Sequence, residues 1–488
     1  MVKQATVKEL KRQFAGVLPQ NSILASPEEL KPYECDGLSA YTQVPLMVVI
    51  PDSIEQIQQI LKICVQFDVP VVARGAGTGL SGGALPLANS VVLSLARLSQ
   101  ILEVDAINRT ARVQPGVRNL AISEAVASLG LFYAPDPSSQ IACTIGGNVA
   151  ENSGGVHCLK YGLTVHNILE IKVVTIDGEL ITLGGSGLDA PGYDLLALFI
   201  GSEGLLGIIV EVVVKLLPKP EATTVILSAF DSVEKAGFVV AEIIKQGVIP
   251  AGLEMMDKFA LRAAEEFVHA GYPLNAAAIL LCELDGIKTE VTEQAEQVKE
   301  IMSTGGAFEV RLAEDEAQRE LFWKGRKAAF PAMGRISPDY YCMDGTIPRK
   351  CLPEVLAKIA TFSEKYGLAV ANVFHAGDGN LHPLILYDAN KSGELENAEK
   401  FGAEILELCV SVGGTITGEH GVGVEKLDQM CSQFAQDELS IFHQIKSAFD
   451  PSGLLNPGKA VPSLHRCAEL GAMHVHKGKL PFPELERF

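Results

Sequence analysis

Arg74-Gly-Ala-Gly-Thr-Gly-Leu-Ser-Gly-Gly83 follows a short apolar run, and this glycine-rich loop is the stretch that decides the fold. Its segment Gly77–Gly82 matches GxGxxG, which in Rossmann folds opens a helix and precedes an acidic residue about 20 positions later. Here the chain instead passes through Pro86 into a second apolar run, Val91–Leu95, with no acid at the required point. The sequence therefore predicts a strand, a loop and a strand. The loop N–H groups would form a nest for an anion such as a pyrophosphate, and Arg74 would add charge. The alternative is a flexible surface loop, in which so many glycines would cost folding entropy without a ligand.

Two further glycine clusters share the composition of this loop. The first, PDPSSQIACTIGGNVAENSGG over residues 135–155, has two Gly-Gly pairs, small hydroxyl side chains and hardly any bulky residue. The second, GSEGLLG over residues 201–207, leads into an apolar run. Backbone of this kind can lie flat against a planar or phosphorylated group, because glycine has no Cβ to hold the ligand away.

Charge and composition exclude several classes of protein. The 488 residues include 40 Lys and Arg against 59 Asp and Glu, which gives a net charge of −19. So acidic a chain lacks the basic footprint of a nucleic-acid binder and is not drawn to anionic lipid. No apolar run reaches the length of a membrane span, and residues 1–13 lack a secretory signal, so we expect a cytoplasmic protein with no transmembrane segment. No two of the ten cysteines are spaced CxxC, which argues against a redox dithiol or an iron–sulfur cluster within this chain.

Hydrophobic periodicity divides the chain near Lys219-Pro220. Before it we predict helices over 52–67 and 119–129, strands over 69–73, 91–95, 102–105, 110–114 and 207–217, and a hairpin over 168–183. After it we predict strands over 223–230 and 277–284, helices over 233–246, 290–303, 397–412 and 437–449, and the same rhythm over 353–389. This alternation of strands and helices is typical of an α+β domain on an antiparallel sheet.

Two histidine motifs lie in the second half of the chain. HAGDGNLH, residues 375–382, follows an apolar strand, and TGEHGVG, residues 417–423, follows a Gly-Gly pair. His375, His382 and Glu419 would give two nitrogens and one oxygen, a set suited to Zn²⁺ or Mn²⁺ with positions open for a substrate. The alternative is that these histidines cap turns or fill the core. The pair His474 and His476 near the C-terminus could also bind metal, but an exposed tail is the simpler interpretation.

The three glycine clusters, in order over residues 45–220, resemble the FAD-binding domain of the vanillyl-alcohol-oxidase and p-cresol-methylhydroxylase superfamily. The resemblance implies that the first loop holds the FAD pyrophosphate, that the second cluster lines the ADP and flavin, and that the third supports the cofactor. Since residues 74–83 contain no His, the flavin is expected to be non-covalent. The implied cofactor residues are Arg74, Gly75, Gly77, Thr78, Gly79, Pro135, Ser139, Thr144, Gly146, Gly147, Asn152, Gly154, Gly155, Glu203, Gly204, Gly207 and Ile209.

The histidine motifs resemble the C-terminal domain of FAD-linked 2-hydroxy-acid dehydrogenases, which act on D-lactate, D-2-hydroxyglutarate or glycolate. The resemblance implies a divalent metal on His375, His382 and Glu419, His420 as the base, and Arg326 of the WKGR segment on the substrate carboxylate. Hydroxyglutarate-type members carry a Lys one turn after the WxxR segment, before the Asp of a YDLSLP-like strand that matches Asp344 here, and an Asn two residues after the second motif His. This chain has no such Lys and has Leu384, which predicts a smaller, less polar pocket.

Nearly the whole chain is similar to the FAD-linked subunits of glycolate oxidases, including the turn NPGK at 456–459, which implies that Asn456 returns to the flavin. We therefore expect an α+β protein with a p-cresol-methylhydroxylase (PCMH)-type FAD-binding domain of two α/β subdomains over 1–220. A substrate-binding cap domain on an antiparallel sheet would cover 221–420, and a helical segment returning to the flavin would cover 421–488.

The resemblance implies oxidation of a small 2-hydroxy acid, glycolate and also D-lactate, to glyoxylate or pyruvate by hydride transfer to flavin N5. Arg326 and a metal would hold the substrate. It also implies a second flavin-domain subunit and an iron–sulfur subunit as partners, through which the chain would be peripheral at a membrane. The alternatives are a stand-alone D-lactate dehydrogenase, a flavin-carrying subunit without substrate chemistry, and non-redox flavin chemistry.

Overall fold

The computed structural model describes residues 4–187 and 192–463, so His474 and His476 lie outside the described residues. Its helices are α1 Gln4–Ala15, α2 Pro27–Leu30, α3 Ile54–Phe67, α4 Asn119–Val126, α5 Ile145–Glu151, α6 Cys158–Tyr161, α7 Leu195–Phe199, α8 Val233–Lys245, α9 Lys258–Val268, α10 Lys288–Thr304, α11 Glu316–Lys327, α12 Ala329–Met333, α13 Leu352–Tyr366, α14 Glu394–Ser411, α15 Leu427–Gln433 and α16 Gln436–Phe449. Its strands are β1 Ile23–Leu24, β2 Met47–Val49, β3 Val71–Arg74, β4 Val91–Ser94, β5 Ile101–Asp105, β6 Thr110–Val113, β7 Leu131–Phe132, β8 Ile168–Val174, β9 Leu180–Gly184, β10 Ile208–Lys215, β11 Leu217–Pro218, β12 Ala222–Phe230, β13 Gly252–Asp257, β14 Ala278–Gly286, β15 Glu309–Leu312, β16 Asp339–Cys342, β17 Gly345–Thr346, β18 Val370–His375 and β19 Asn380–Tyr387. Among the helices of these residues, none is both long and apolar enough to span a membrane.

The first sheet has the order β1-β2-β4-β3, and β4 runs parallel to both β2 and β3. Helix α3 connects β2 to β3; the Ser53 side chain caps its start by accepting from the Gln56 N–H, and Asp68 ends it in the left-handed region. The glycine loop of residues 75–90 then joins β3 directly to β4, with no helix between them. The predicted strand–loop–strand is thereby confirmed.

The second sheet is antiparallel in the order β5-β6-β10-β8-β9. The predicted hairpin over 168–183 is confirmed as β8 and β9, which pair from Val174 opposite Leu180 to Glu170 opposite Gly184. The helix predicted over 119–129 ends at Val126, because residues 127–129 tighten into a 3₁₀ turn that Gly130 closes in the left-handed region. The strand predicted over 207–217 ends at Lys215, and Leu217 pairs instead with Phe132 of β7.

The third sheet has the order β15-β12-β14-β13-β18-β19-β16, and its ladders are antiparallel, as the strand–helix rhythm predicts. Both of its faces are buried. On β14, Leu280 and Cys282 join a core that contains residues of α8, α10, α13 and α14, whereas Ile279 and Leu281 join a core that contains residues of α9, α11 and α12. Strand β13, which the sequence analysis does not predict, lies in the middle of this sheet, where GLEMMD is buried almost throughout.

The segment Leu454–Asn456 returns to the first sheet. The backbone N–H of Val71 in β3 donates to the Leu454 carbonyl, and the Asn456 N–H donates to the Val71 carbonyl, each at 2.8 Å. The Asn456 side chain is 2% exposed, and its Nδ2 donates to the carbonyls of Gly83 at 3.0 Å and Glu203 at 2.7 Å. One amide therefore joins the first and third glycine clusters.

We predict that Asn456→Ala lowers the free energy of unfolding more than Asn152→Ala does, by about 2 kcal/mol or more. Both residues have a positive φ, 43° and 55°, so alanine strains the backbone in both variants. Asn456→Ala leaves two buried carbonyls without their donor and removes the acceptor of Lys459, whereas Asn152→Ala removes one acceptor, that of the Val165 N–H. Urea unfolding of the two variants measures the difference, and equal losses would contradict the role given to Asn456.

Candidate active site

One cavity of about 420 Å³ is lined both by the glycine clusters and by the histidine motifs. The implied cofactor residues on its wall are Arg74, Gly75, Gly77, Thr78, Gly79, Ser139, Thr144, Gly146, Gly147, Glu203, Gly204, Gly207 and Ile209. The implied catalytic and metal residues on the same wall are Arg326, His375, His382, Glu419 and His420. The cavity therefore brings together motifs that are far apart in the sequence: Arg74 and His420, which both line it, are 346 residues apart.

The backbone around the cavity is packed so closely that side chains are excluded at two glycines. A Cβ on Gly75 would lie 2.3 Å from Thr144 Oγ1, and one on Gly146 would lie 2.5 Å from Pro115 Cβ. Thr144 Oγ1 and Asn148 Nδ2 are buried without hydrogen-bond partners among the described residues, and both residues line the cavity. Such unpaired polar groups beside a glycine-rich wall fit a polar, phosphate-bearing cofactor such as FAD. Arg74 supports the loop from within, because its guanidinium donates to the Cys35 carbonyl at 2.6 Å.

Five implied cofactor residues do not line the cavity: Pro135, Asn152, Gly154, Gly155 and Asn456. Their contacts are with protein. The Pro135 carbonyl accepts from Asn119, and Asn152 ends α5 in the left-handed region. Gly155 has a φ of +143° against Asp136, and a Cβ on Gly154 would lie 2.6 Å from Glu419 Oε2. These residues shape the loops around the cavity, and Gly154 makes room for the Glu419 carboxylate.

His375, His382 and Glu419 converge from three elements. His375 ends β18, His382 lies on β19, and Glu419 lies in the turn of residues 417–423. Glu419 Oε1 is 3.4 Å from His375 Nε2 and 3.0 Å from His382 Nε2, and the three ligand atoms lie within 4.8 Å of one another. Two imidazole nitrogens and a carboxylate oxygen at the edge of a cavity are donors that fit Zn²⁺ or Mn²⁺. Cys342 forms a second such group with His382 and His420, but Cys342 does not line this cavity.

Burial and mutual charge shift the pKa values of these groups. Burial favours the neutral form of Glu419, but His375 and His382 outweigh it and hold the pKa of that carboxyl well below its usual range. Burial opposes the charged form of His375, but Glu254 outweighs it and raises the pKa of that imidazole well above its usual range. Burial, together with the charge of His382, lowers the pKa of His420 to about 4.

Arg326 projects from α11 and is 3% exposed. Its Nη2 lies 2.6 Å from Oε2 of Glu254, whose Oε1 is 2.7 Å from His375 Nδ1. Its Nε has no hydrogen-bond partner within the described part of the chain. Glu254 is absent from the sequence-based predictions. A glutamate inside the apolar segment GLEMMD was the available signal, because a buried carboxylate requires a charged partner.

Two buried carboxylates hold the turn that carries Glu419 and His420. Asp344 Oδ2 accepts from the backbone N–H of Gly418 at 3.0 Å and of His420 at 2.9 Å, and Lys426 Nζ donates to the same oxygen at 3.0 Å. From the other side, the Glu203 carboxylate accepts from the N–H groups of residues 422 and 423, each at 2.7 Å. Glu203, which resemblance implies for cofactor binding, thus also ties the third glycine cluster to this turn.

Neither Met343, the residue just before Asp344, nor Leu384 lines the cavity. Leu384 is fully buried on β19 in the core that contains Phe322, and Met343 is 2% exposed. Beside Arg326, the wall is formed instead by Lys327, Phe330 and Pro331. Phe330 and Pro331 are apolar, and Lys327 adds a second positive charge beside Arg326.

Comparisons with known proteins identify the family of this chain. Residues 45–184 match the FAD binding domain, and residues 219–460 match the C-terminal domain of FAD linked oxidases. The chain is 66% identical over 471 residues to the glycolate oxidase subunit GlcD of Escherichia coli K12, covering 96% of this chain and 94% of that protein. It is 40% identical to GlcD of Bacillus subtilis, over 93% and 96% of the two chains, and 34% identical to a D-lactate dehydrogenase of Archaeoglobus fulgidus, over 86% and 92%.

Solved structures show the same fold at low identity. The 4-ethylphenol oxidase of Gulosibacter chungangensis superimposes with a TM-score of 0.81 at 18% identity, and p-cresol methylhydroxylase with 0.80 at 17%, each over 95% of this chain and 98% of the other. The α+β fold of the PCMH-type flavoproteins is thereby confirmed. The protein is an FAD-linked oxidoreductase. It belongs to the family of FAD-linked oxidases that includes the GlcD subunits of glycolate oxidase.

The two glycines of the Gly146-Gly147 pair in α5 should respond differently to alanine. Gly146→Ala should destabilise the FAD-free protein by about 1–3 kcal/mol, because the new Cβ overlaps Pro115. Gly147→Ala should be neutral or stabilising by up to about 1 kcal/mol, because its Cβ meets nothing closer than Thr144 Oγ1 at 3.4 Å and alanine favours a helix. Thermal unfolding of both apoproteins checks this pair, and a destabilised Gly147→Ala protein would contradict the packing described.

Proposed function

We propose that this chain oxidises a small 2-hydroxy acid, glycolate and also D-lactate, to glyoxylate or pyruvate, with FAD held non-covalently. The observation that carries the proposal is the common cavity, in which the glycine clusters face Arg326, His375, His382, Glu419 and His420. A cofactor site and a set of acid–base and carboxylate-binding groups on one wall suit a redox reaction of a small acid. The relatives named as glycolate oxidase subunits and as D-lactate dehydrogenases support the same substrate class.

Arg326 would bind the carboxylate of the substrate. Its guanidinium is buried and keeps an Nε without a partner among the described residues, while Glu254 occupies Nη2. A planar guanidinium can donate two parallel charge-assisted hydrogen bonds, which would fix both the position and the orientation of a small acid. Lys327 on the same wall adds positive charge, so this corner of an acidic protein attracts an anion.

His420 would accept the proton of the 2-hydroxyl group. It lines the cavity, its Nε2 is 3.9 Å from Glu419 Oε1, and its Nδ1 has no partner within the described residues. Its backbone is fixed by the N–H bond to Asp344, and its ring stacks on His382 with centroids 5.0 Å apart. A base held this rigidly suits proton transfer, which is efficient only over hydrogen-bond distances.

His375, His382 and Glu419 would hold a divalent ion, Zn²⁺ or Mn²⁺, which when bound supplies a Lewis acid that acidifies the 2-hydroxyl. FAD, when bound, would supply the two-electron chemistry as the acceptor of a hydride from the substrate Cα, so that the 2-oxo acid would be the product. The residues implied by resemblance for the cofactor are those of the three glycine clusters given above, with Asn456 joining two of them. The proton and the hydride together account for the two hydrogens that the substrate loses.

The chain would act within an assembly that contains a second flavin-domain subunit and an iron–sulfur subunit. The most similar relatives described above are themselves named as subunits, and this sequence contains no CxxC motif for a cluster of its own. Electrons from the reduced flavin would leave to the iron–sulfur subunit. The assembly would lie in the cytoplasm or against a membrane through those partners. Iron analysis of proteins that co-purify with the tagged chain tests this assembly.

Glycolate should bleach the flavin absorbance of the FAD-loaded protein under anaerobic conditions, and D-lactate should do so with a lower kcat/KM than glycolate. In protein shown to be free of metal, glycolate should reduce the flavin at least about 100-fold more slowly, and addition of Zn²⁺ or Mn²⁺ should restore the rate of flavin reduction. L-lactate provides the stereochemical control. Absence of bleaching by any 2-hydroxy acid would favour a flavin-carrying subunit without substrate chemistry, and a clear preference for D-lactate would favour a D-lactate dehydrogenase.

His420→Ala should slow flavin reduction by glycolate about 10²–10⁴-fold, because the base is removed, while FAD remains bound. Stopped-flow absorbance under anaerobic conditions gives the rate, and the bound flavin spectrum gives the cofactor content. His166→Ala is the matched control, since His166 does not line the cavity and its Nδ1 accepts only a local backbone N–H. Reduction of the His420 variant at the wild-type rate would show that another group takes the proton.

A further inference from the structure

Helix α11 is held to the third sheet by two glutamates on adjacent strands. Arg319 and Arg326 are seven residues apart, two helical turns, and therefore point to the same side of α11. Arg319 Nη1 lies 3.2 Å from Glu283 Oε2 on β14, and Arg326 Nη2 lies 2.6 Å from Glu254 Oε2 on β13. Each glutamate also holds a histidine with its other oxygen: His157 Nε2 at 2.9 Å and His375 Nδ1 at 2.7 Å, respectively.

The two Glu–His–Arg groups differ in what they face. His375 and Arg326, the partners of Glu254, both line the main cavity, although Glu254 itself does not. Glu283, His157 and Arg319 line a separate cavity of about 440 Å³ and do not reach the main one. Of the two glutamates, therefore, only Glu254 contacts side chains that line the main cavity, and Glu254 does not line that cavity itself.

Each contact of Glu254 leaves one defined atom available to the cavity. With Nδ1 of His375 held at Oε1, the ring can present only Nε2, which points to Glu419 and His382. A carboxylate on the far nitrogen of a histidine fixes its tautomer and its orientation toward a metal. With Nη2 of Arg326 held at Oε2, the Nε of the guanidinium stays without a partner among the described residues and is left for a ligand.

We infer that Glu254 is a positioning residue that orients the metal-binding nitrogen of His375 and the carboxylate-binding guanidinium of Arg326 at the same time. The inference rests on the proposed function, because it assigns those two roles to His375 and Arg326. It goes beyond that function by making one side chain, buried behind both groups, set the distance between the metal half and the carboxylate half of the site. Glu254 is 1% exposed and has a partner on each oxygen, Arg326 on Oε2 and His375 on Oε1, so it contacts both groups at once.

Glu254→Gln tests the inference because an amide cannot replace a carboxylate between two donors. Its oxygen can accept from one partner, but its NH₂ then opposes the N–H of the other. Two affinities are measured on the FAD-loaded protein: that for Zn²⁺, by competition with a chelator, and that for propionate in the metal-free protein, by the change in the flavin spectrum. Propionate carries the carboxylate of a small 2-hydroxy acid without the hydroxyl, so in metal-free protein it reports on the carboxylate-binding corner of Arg326 and the neighbouring Lys327.

The expected result is a loss of about 10–100-fold in Zn²⁺ affinity together with a loss of about 10-fold in propionate affinity. Glu283→Gln is the matched control: it removes the same charge from the same sheet and from the same kind of Glu–His–Arg group, and it should leave both affinities unchanged. A side chain that only supported the fold would lower the unfolding temperature in both variants without this difference. An unchanged affinity for either probe in Glu254→Gln, or equal losses in the control, would overturn the inference.

Glu254→Asp keeps the negative charge, and the same two affinities are measured on this variant if Glu254→Gln does not fold. Its side chain is one methylene shorter and cannot span both partners, so at least one of the two affinities should fall by about 10-fold; wild-type values for both would overturn the inference. Wild-type protein separates this inference from the proposed function. Failure of the wild type to bind Zn²⁺ or propionate would reject the proposed roles of His375 or Arg326 themselves, and the inference with them.

Discussion

A carboxylate buried in a protein must be given hydrogen-bond donors or positive charge, and this constraint fixes the site of the present enzyme. Glu203, just before β10, and Asp344, between β16 and β17, accept hydrogen bonds from the backbone N–H groups of the same short turn. That turn carries Glu419 and His420, and two acids hold it: Asp344 bonds residues 418 and 420, and Glu203 bonds residues 422 and 423. The buried carboxylate of Glu254 meets the same requirement through Arg326 on one oxygen and His375 on the other.

Local pattern was sufficient to predict most of the architecture. The glycine loop at 74–83, joined to a strand on each side, excluded a Rossmann fold, and the structure has no helix between β3 and β4. The hairpin at 168–183 and the antiparallel sheet after residue 220 followed from the period of apolar residues and a turn signal. The histidine motifs were also recognisable, because His375 and His382 are seven positions apart and lie on two strands that pair with each other.

The residues that hold the site in place were not predictable in this way. Glu254 and His375 are 121 positions apart, and Glu203 lies about 220 positions before the turn it binds, so no local spacing reveals either pairing. Strand β13 was missed because GLEMMD is apolar on both faces and interrupted by a charge, which resembles neither an alternating strand nor an amphipathic helix. Leu384 lies in the core that contains Phe322 and does not line the cavity, so the smaller pocket predicted from this motif position stays a prediction.

The return of Leu454–Asn456 to β3 has a consequence for the order in which the molecule is made. Val71 and Leu455 are nearly 400 residues apart, yet they form a bridge at the edge of the first sheet. At translation rates of about 5–20 residues per second, the first glycine loop leaves the ribosome tens of seconds before the segment that completes its surroundings. The amide that joins the first and third glycine clusters is therefore synthesised long after the loop that it contacts. The first glycine loop has its full set of contacts only once Asn456 has been made, and a chain that stops before this residue lacks them.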